Sequence, residues 1–301
     1  MVYTITDGAG GGPFDDGMGN NGLPVIQPDG GNSLTINGFD AIIERDPTLF
    51  VADNTPCTGV GTKFRIIKIA DGGNLILNDL TFRNGCSDSP DGMGGDYFGG
   101  GAILNVGGNL IINNSTITFN QVTPGSFPFA AGDYTGGQAI SMGGDSNTST
   151  TINDSIIHTN FRNNFQGDRG AIWVCPLPLP CSQPSLTIRR TTISNHSATV
   201  GAGLALEGDS IVIIEDSTLT NNNANFAHAA IFCQDCGSLN VINTTCSGNS
   251  AVLVGGCLGI SVDNDPQDIS FWNSTITNNT APVGAGIYSQ DDDQTVVFNN
   301  T

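Results

Sequence analysis

The chain has 301 residues, of which 41 are glycine and only 12% are charged, and its 28 acidic and 9 basic residues leave a net charge of −19. The good helix formers are scarce, which excludes a helical protein, and glycine shows no three-residue period, which excludes collagen. So acidic a chain, with no basic patch, excludes nucleic acid as a partner, and no apolar run reaches the roughly 18 residues of a membrane span.

In chain order, the opening MVYTITDGAG carries no basic or apolar leader stretch, so any signal peptide is expected to lie outside this segment. Residues 1–33 read as an N-terminal capping segment. From Leu34 a pattern begins that returns to the end. LTINGFDAIIERD from Leu34 is a divergent first copy; LILNDLTFRN from Leu75, LIINNSTITFN from Leu110, TTINDSIIHTN from Thr150 and LTIRRTTISN from Leu186 follow. IVIIEDSTLTNN from Ile211, LNVINTTCSGN from Leu239 and ISFWNSTITNN from Ile269 complete the series. A small-residue motif precedes each later copy: GGAIL from Gly100, GQAIS from Gly137, GAIWV from Gly170, AGLAL from Ala202, AAIFC from Ala229, GCLGI from Gly256 and AGIYS from Ala285.

Each unit thus holds three short runs of alternating apolar residues, rich in β-branched side chains and punctuated by Gly and Asn. Such runs are strands joined at corners where positive φ is cheap. Repetition at this period specifies an all-β solenoid, a parallel β-helix of about eight coils with three short strands per coil over residues 34–301. Ile103, Ile140, Ile172, Leu204, Ile231, Leu258 and Ile287 are expected to form one internal file, and Phe82, Ile117, Ile157, Ile193, Leu219, Cys246 and Ile276 another. The same alternation turns Thr116 and Thr118, Thr192 and Ser194, Thr218 and Thr220 outward. The resulting threonine face is like that of ice-binding solenoids, but Arg83 and His158 interrupt it. Recurrent Asn-x-Ser/Thr triplets, such as that of Asn114, read as by-products of the repeat, with internal asparagine ladders at the corners as the structural alternative. The final strand, around Val296 to Phe298, shows no cap, so continuation into a longer chain or stacking on another copy is expected.

The paired signals, GGA[ILV] and a strand ending in xxN, resemble the chlamydial polymorphic outer-membrane protein repeats and the wider group of bacterial secreted right-handed parallel β-helix proteins. The resemblance runs from about Leu23 onward. It implies a right-handed coil and an extracellular or cell-surface destination in a bacterium. It leaves activity open, because this fold hosts lyases, hydrolases, adhesins and fibres.

Eight cysteines, Cys57, Cys86, Cys175, Cys181, Cys233, Cys236, Cys246 and Cys257, point to disulfides in an oxidising compartment. Cys175 with Cys181 reads as a stapled loop and Cys57 with Cys86 as a bridge across a coil; the other four leave three connectivities open. A zinc ribbon would need a second CxxC knuckle beside Cys233-x-x-Cys236. Asp263, Asp265 and Asp268 offer hard oxygen ligands suited to Ca²⁺. No catalytic set emerges: Asp154 and Asp216 fill equivalent places, but Arg190 or Asn fills that place elsewhere, and the three histidines occupy non-equivalent places. The expected function is a non-catalytic extracellular rod for adhesion, display or fibre assembly, its partner being another copy or a host or cell-surface glycan or protein. The alternative is a carbohydrate-active enzyme or glycan-binding module that uses Asp154, Arg162, Arg169, Arg189 and Asp216.

Overall fold

The computed structural model describes residues 1–6, 21–49, 57, 63–88, 99–123, 136–144, 148–160, 168–175, 181, 183–261, 267–290 and 294–301. Every strand pair among them is parallel, and each strand is followed round the coil by strands of two other sheets before the chain returns one layer higher. The first sheet stacks Asn109–Asn113, Ser149–Asn153, Ser185–Arg189, Ile211–Glu215, Ser238–Ile242, Asp268–Trp272 and Val296–Asn299. The second stacks Thr116–Thr118, Ile156–His158, Thr192–Ser194, Thr218–Thr220, Thr245–Ser247 and Thr275–Thr277. The long strand Asn74–Arg83 runs through the corner between them: Asn74 to Asn78 pair with the first sheet and Thr81 to Arg83 with the second. The third sheet has eight strands, from Ile67–Ile69 to Ile287–Ser289, one per coil. This is a parallel β-helix of about eight coils, as the repeat predicts.

Both expected internal files form in register. Ile103, Ile140, Ile172, Leu204, Ile231, Leu258 and Ile287 are successive partners in the third sheet, with Ile67 added below. Phe82, Ile117, Ile157, Ile193, Leu219, Cys246 and Ile276 are successive partners in the second. These side chains and the paired apolar files of the first sheet make one continuous core. Each buried Leu or Ile contributes about 1.5–3 kcal/mol relative to exposure. Below the repeats, Val2–Ile5 pairs with Ile42 to Arg45, and Ile26 bridges to Ile69.

The corners explain the Asn, Asp and Ser/Thr content. Between the first and second sheets, Asp79, Asn114, Asp154, Arg190, Asp216, Asn243 and Asn273 each adopt positive φ, a conformation that short polar side chains tolerate best. The next residue carries an inward hydroxyl. Ser115, Ser155, Thr191, Ser217, Thr244 and Ser274 form a hydroxyl ladder in which each rung accepts the N–H of the coil before. Each also donates to the carbonyl two residues back in its own coil. After the second sheet comes the internal ladder of Asn120, Asn160, His196, Asn222, Asn249 and Asn279. Asn120 accepts the N–H of Gly85, and from Asn160 onward each side chain accepts the backbone N–H of the preceding rung, at 3.0–3.2 Å. Asn160, Asn222 and Asn249 also donate Nδ2–H to carbonyls of Ile117, Ile193 and Leu219 in the coil before.

The outward threonine face departs from expectation. Thr118 and Ser194 point away from the core yet are buried, so the second sheet does not present an even, exposed threonine plane.

Replacing Asn222 by Ala strands two buried groups, the N–H of His196 and the carbonyl of Ile193. At about 1–3 kcal/mol for each unsatisfied group, Asn222→Ala should lower stability to urea unfolding by about 2–5 kcal/mol. Thr220→Ala, on the outward side of the neighbouring strand, should change it by less than about 0.5 kcal/mol.

Candidate functional site

Chemistry-bearing side chains gather in two places, and the sequence-predicted residues divide between them. The corner between the first and second sheets carries an exposed charged column. Arg190 donates from Nε and Nη2 to the two carboxylate oxygens of Asp154 (2.6 and 2.8 Å), Arg189 pairs with Glu215 at 3.0 Å, and Asn243 donates Nδ2–H to Asp216 at 2.5 Å. The hydrogen bonds from Arg190 hold the Asp154 carboxyl below its ordinary range. The predicted glycan contacts Asp154, Arg189 and Asp216 therefore do share one surface. Arg162 lies outside the described residues.

Arg169 does not share that surface. It belongs to the outer side of the third sheet, where it forms a buried ion pair with Glu207: Nε to Oε1 is 2.7 Å, with side-chain exposures of 6% and 4%. The sequence groups Arg169 with Asp154, Arg189 and Asp216, but Arg169 lies just before a third-sheet strand, where the chain folds against that sheet's outer side. A Cβ on Gly136, for example, would overlap Arg169.

Around this pair the structure assembles a cluster that the sequence reading missed. The second carboxylate oxygen of Glu207 accepts Trp173 Nε1–H at 3.1 Å. The Arg169 guanidinium lies 5.1 Å from the Phe232 ring centroid. The His228 imidazole stacks on the same Phe232 ring, 4.9 Å away with the planes parallel within 1°, and Tyr288 lies 6.0 Å from the imidazole. His228 has φ of 61°, and its place just before a third-sheet strand is held by Gly100, Gly137, Gly201, Gly255 and Gly284 in other coils, all at positive φ. Its ring covers Gly259, where any Cβ would overlap it, and its Nδ1 has no hydrogen-bond partner. Burial, then the positive charge of Arg169, lowers the His228 pKa to about 4. The imidazole is accordingly neutral at physiological pH. Both carboxylate oxygens of Glu207 are engaged, so the cluster holds a saturated carboxylate and a neutral ring. A signal for His228 was present, a histidine in the glycine slot of the AAIFC unit.

The remaining candidates are simpler. Asp268 opens its strand and is exposed, while Asp263 and Asp265 lie outside the described residues. Among the described residues no group of three His, Cys, Asp or Glu could hold a metal. All eight cysteines form disulfides: Cys57–Cys86 and Cys175–Cys181 as expected, and Cys233–Cys236 and Cys246–Cys257 out of the three open connectivities. A sulfur held in a disulfide is not a thiolate ligand. Four disulfides mark an oxidising, extracytoplasmic setting, and among the described residues no helix is long and apolar enough to cross a membrane.

The family model described as the right handed beta helix region matches residues 138–301. The chain belongs to this family. No match was found among curated proteins or among solved structures. In this right-handed β-helix, the match begins at the third-sheet strand following Gly137 and takes in the Arg169–Glu207 cluster and most of both polar ladders.

Removal of the Glu207 carboxylate would leave Arg169 charged and buried and Trp173 Nε1–H unpaired. Glu207→Ala should cost about 3–5 kcal/mol in urea unfolding, whereas Arg190→Ala, on the exposed column, should leave the unfolding midpoint unchanged within error.

Proposed function

We propose that this chain is a non-catalytic extracellular or cell-surface rod module that serves adhesion, display or structural assembly. The observation that carries this reading is the use of the polar groups. Among the described residues, the corner Ser, Thr and Asn side chains from Ser115 to Asn279 are committed to the two ladders, and the buried carboxylate of Glu207 is committed to Arg169 and Trp173. What remains is a rigid, disulfide-stapled body of stacked coils. The likeness of its GGA[ILV] and xxN signals to polymorphic outer-membrane protein repeats supports a surface role.

Self-association is the partner reading. The outermost described coil presents the strands Thr275–Thr277, Ile287–Ser289 and Val296–Asn299 as open edges, with Phe298 52% exposed beside Val297. A further coil, from this or another chain, would cover them. Calcium bridging through Asp263, Asp265 and Asp268 belongs to the same proposal. A second reading, glycan binding, is favoured by the charged column of Asp154, Arg190, Arg189, Glu215 and Asp216, whose spaced, exposed donors and acceptors suit hydroxyl-rich ligands.

Negative-stain microscopy of the purified chain, with Ca²⁺ or with EDTA, tests the rod-assembly reading against glycan binding on arrays. Rods that join end to end, with glycan arrays blank, are expected. Isolated rods under both conditions, together with array binding abolished by Asp154→Ala and Arg189→Ala, would overturn it in favour of the glycan module.

A further inference from the structure

The internal asparagine ladder has one rung that is not asparagine. His196 lies four residues after Thr192, as Asn222 does after Thr218 and Asn249 after Thr245, and it is fully enclosed. Its imidazole reproduces both functions of the amide it replaces. Nδ1 accepts the backbone N–H of Asn160 at 3.2 Å, as an asparagine Oδ1 would. Nε2 reaches the carbonyl of Ile157 at 3.0 Å, as an asparagine Nδ2–H would. A carbonyl only accepts and an N–H only donates, so these two partners admit one form of the ring: neutral, with its proton on Nε2. Towards the following coil, the His196 N–H donates to Asn222 Oδ1 at 3.2 Å, and the Asn223 N–H donates to the His196 carbonyl. The residue therefore carries the hydrogen-bonded link between the coils on either side.

An asparagine rung is indifferent to pH in the physiological range. The histidine rung is not. A proton on Nδ1 would face the Asn160 N–H, donor against donor, and would place a full charge in the dry corner. We propose that His196 makes the middle of this solenoid an acid-labile joint, closed while the imidazole is neutral and opened when a proton reaches Nδ1.

The surroundings offer a cation nothing. Asn160 and Ile157 from the preceding coil and Asn222 from the following one are uncharged. Among the described residues the titratable group whose charge acts on His196 is His158, in the preceding coil, and that charge opposes protonation. Burial is the larger effect, and the folded-state pKa is about 3. Because this lies below the ordinary histidine value of about 6.5, the unfolded chain binds the extra proton. The stabilisation is complete above about pH 6.5 and is lost progressively as the pH falls towards 3.

The test is urea unfolding of the full chain between about pH 7.5 and about pH 4.5, comparing the native sequence with His196→Asn, which restores the residue used by the other rungs. The unfolding equilibrium constant of the native chain should rise relative to the variant by about tenfold for each pH unit below about 6.5. His228→Gly, which removes the other deeply buried imidazole, should retain that dependence on His196. A native-to-H196N difference that does not change with pH would overturn the proposal, as would loss of acid sensitivity in H228G with none in H196N. Imidazole NMR of the unmodified chain gives an independent reading. The Nε2–H tautomer, untitrated at pH 5, is expected; an Nδ1–H tautomer or ordinary titration near 6.5 would contradict the joint.

Discussion

A β-solenoid turns its backbone several times per coil around a dry interior, and the peptide groups at those turns must still find partners. A buried N–H or C=O left alone costs about 1–3 kcal/mol, and this chain meets the same corners in coil after coil. Its solution is to place one polar side chain per corner and stack it. The hydroxyl ladder from Ser115 to Ser274 and the amide ladder from Asn120 to Asn279 each take the N–H of one coil into the side chain of the next. The strand registers, the apolar files and the orientation of the outer faces depend on these two columns. They fix the rise from coil to coil while allowing loops of different length between the strands.

The same economy shapes the surface. No Lys or Arg occurs after Arg190, so the last third of the chain carries acidic residues without cations. Where opposite charges do occur they are spent in pairs, exposed at Arg190–Asp154 and buried at Arg169–Glu207. Two disulfides lie within the span from Ile231 to Cys257. Cys233 stands in the third-sheet file between Leu206 and Ile260, and Cys246 in the second-sheet file between Leu219 and Ile276. Both therefore staple a coil from inside the core, where reductants have no access without opening it.

Much of this was legible because repetition makes register visible. Aligning Thr116, Ile156, Thr192 and Thr218 aligns every other position in the coil, and both predicted apolar files follow. The short Cys175–Cys181 loop was readable from proximity alone, whereas Cys233, Cys236, Cys246 and Cys257 needed the coil path to choose among pairings. The outer cluster was not legible. Alternation tells which side chains leave the core but not what lies over them, so the packing of Trp173 and Phe232 around Arg169 and Glu207 cannot be read from it, and Arg169 is grouped with Asp154, Arg189 and Asp216 although it lies on another side. Thr118 and Ser194 departed from expectation for the same reason. Two deviations were present in the letters all along, His196 in an asparagine slot and His228 in a glycine slot, and each acquires meaning only once its partners are known.

The central claim is that the corner ladders, and not only the apolar files, hold the coils together. Native-state hydrogen exchange at the backbone amides of Asn120, Asn160, Asn222 and Asn249 tests it most directly. These four turn amides should exchange as slowly as the strand amides of Ile117, Ile193 and Leu219, through opening of whole coils. Exchange at the rate of exposed turns, with the strands still protected, would show that the ladders fray independently and that the core alone sets the register.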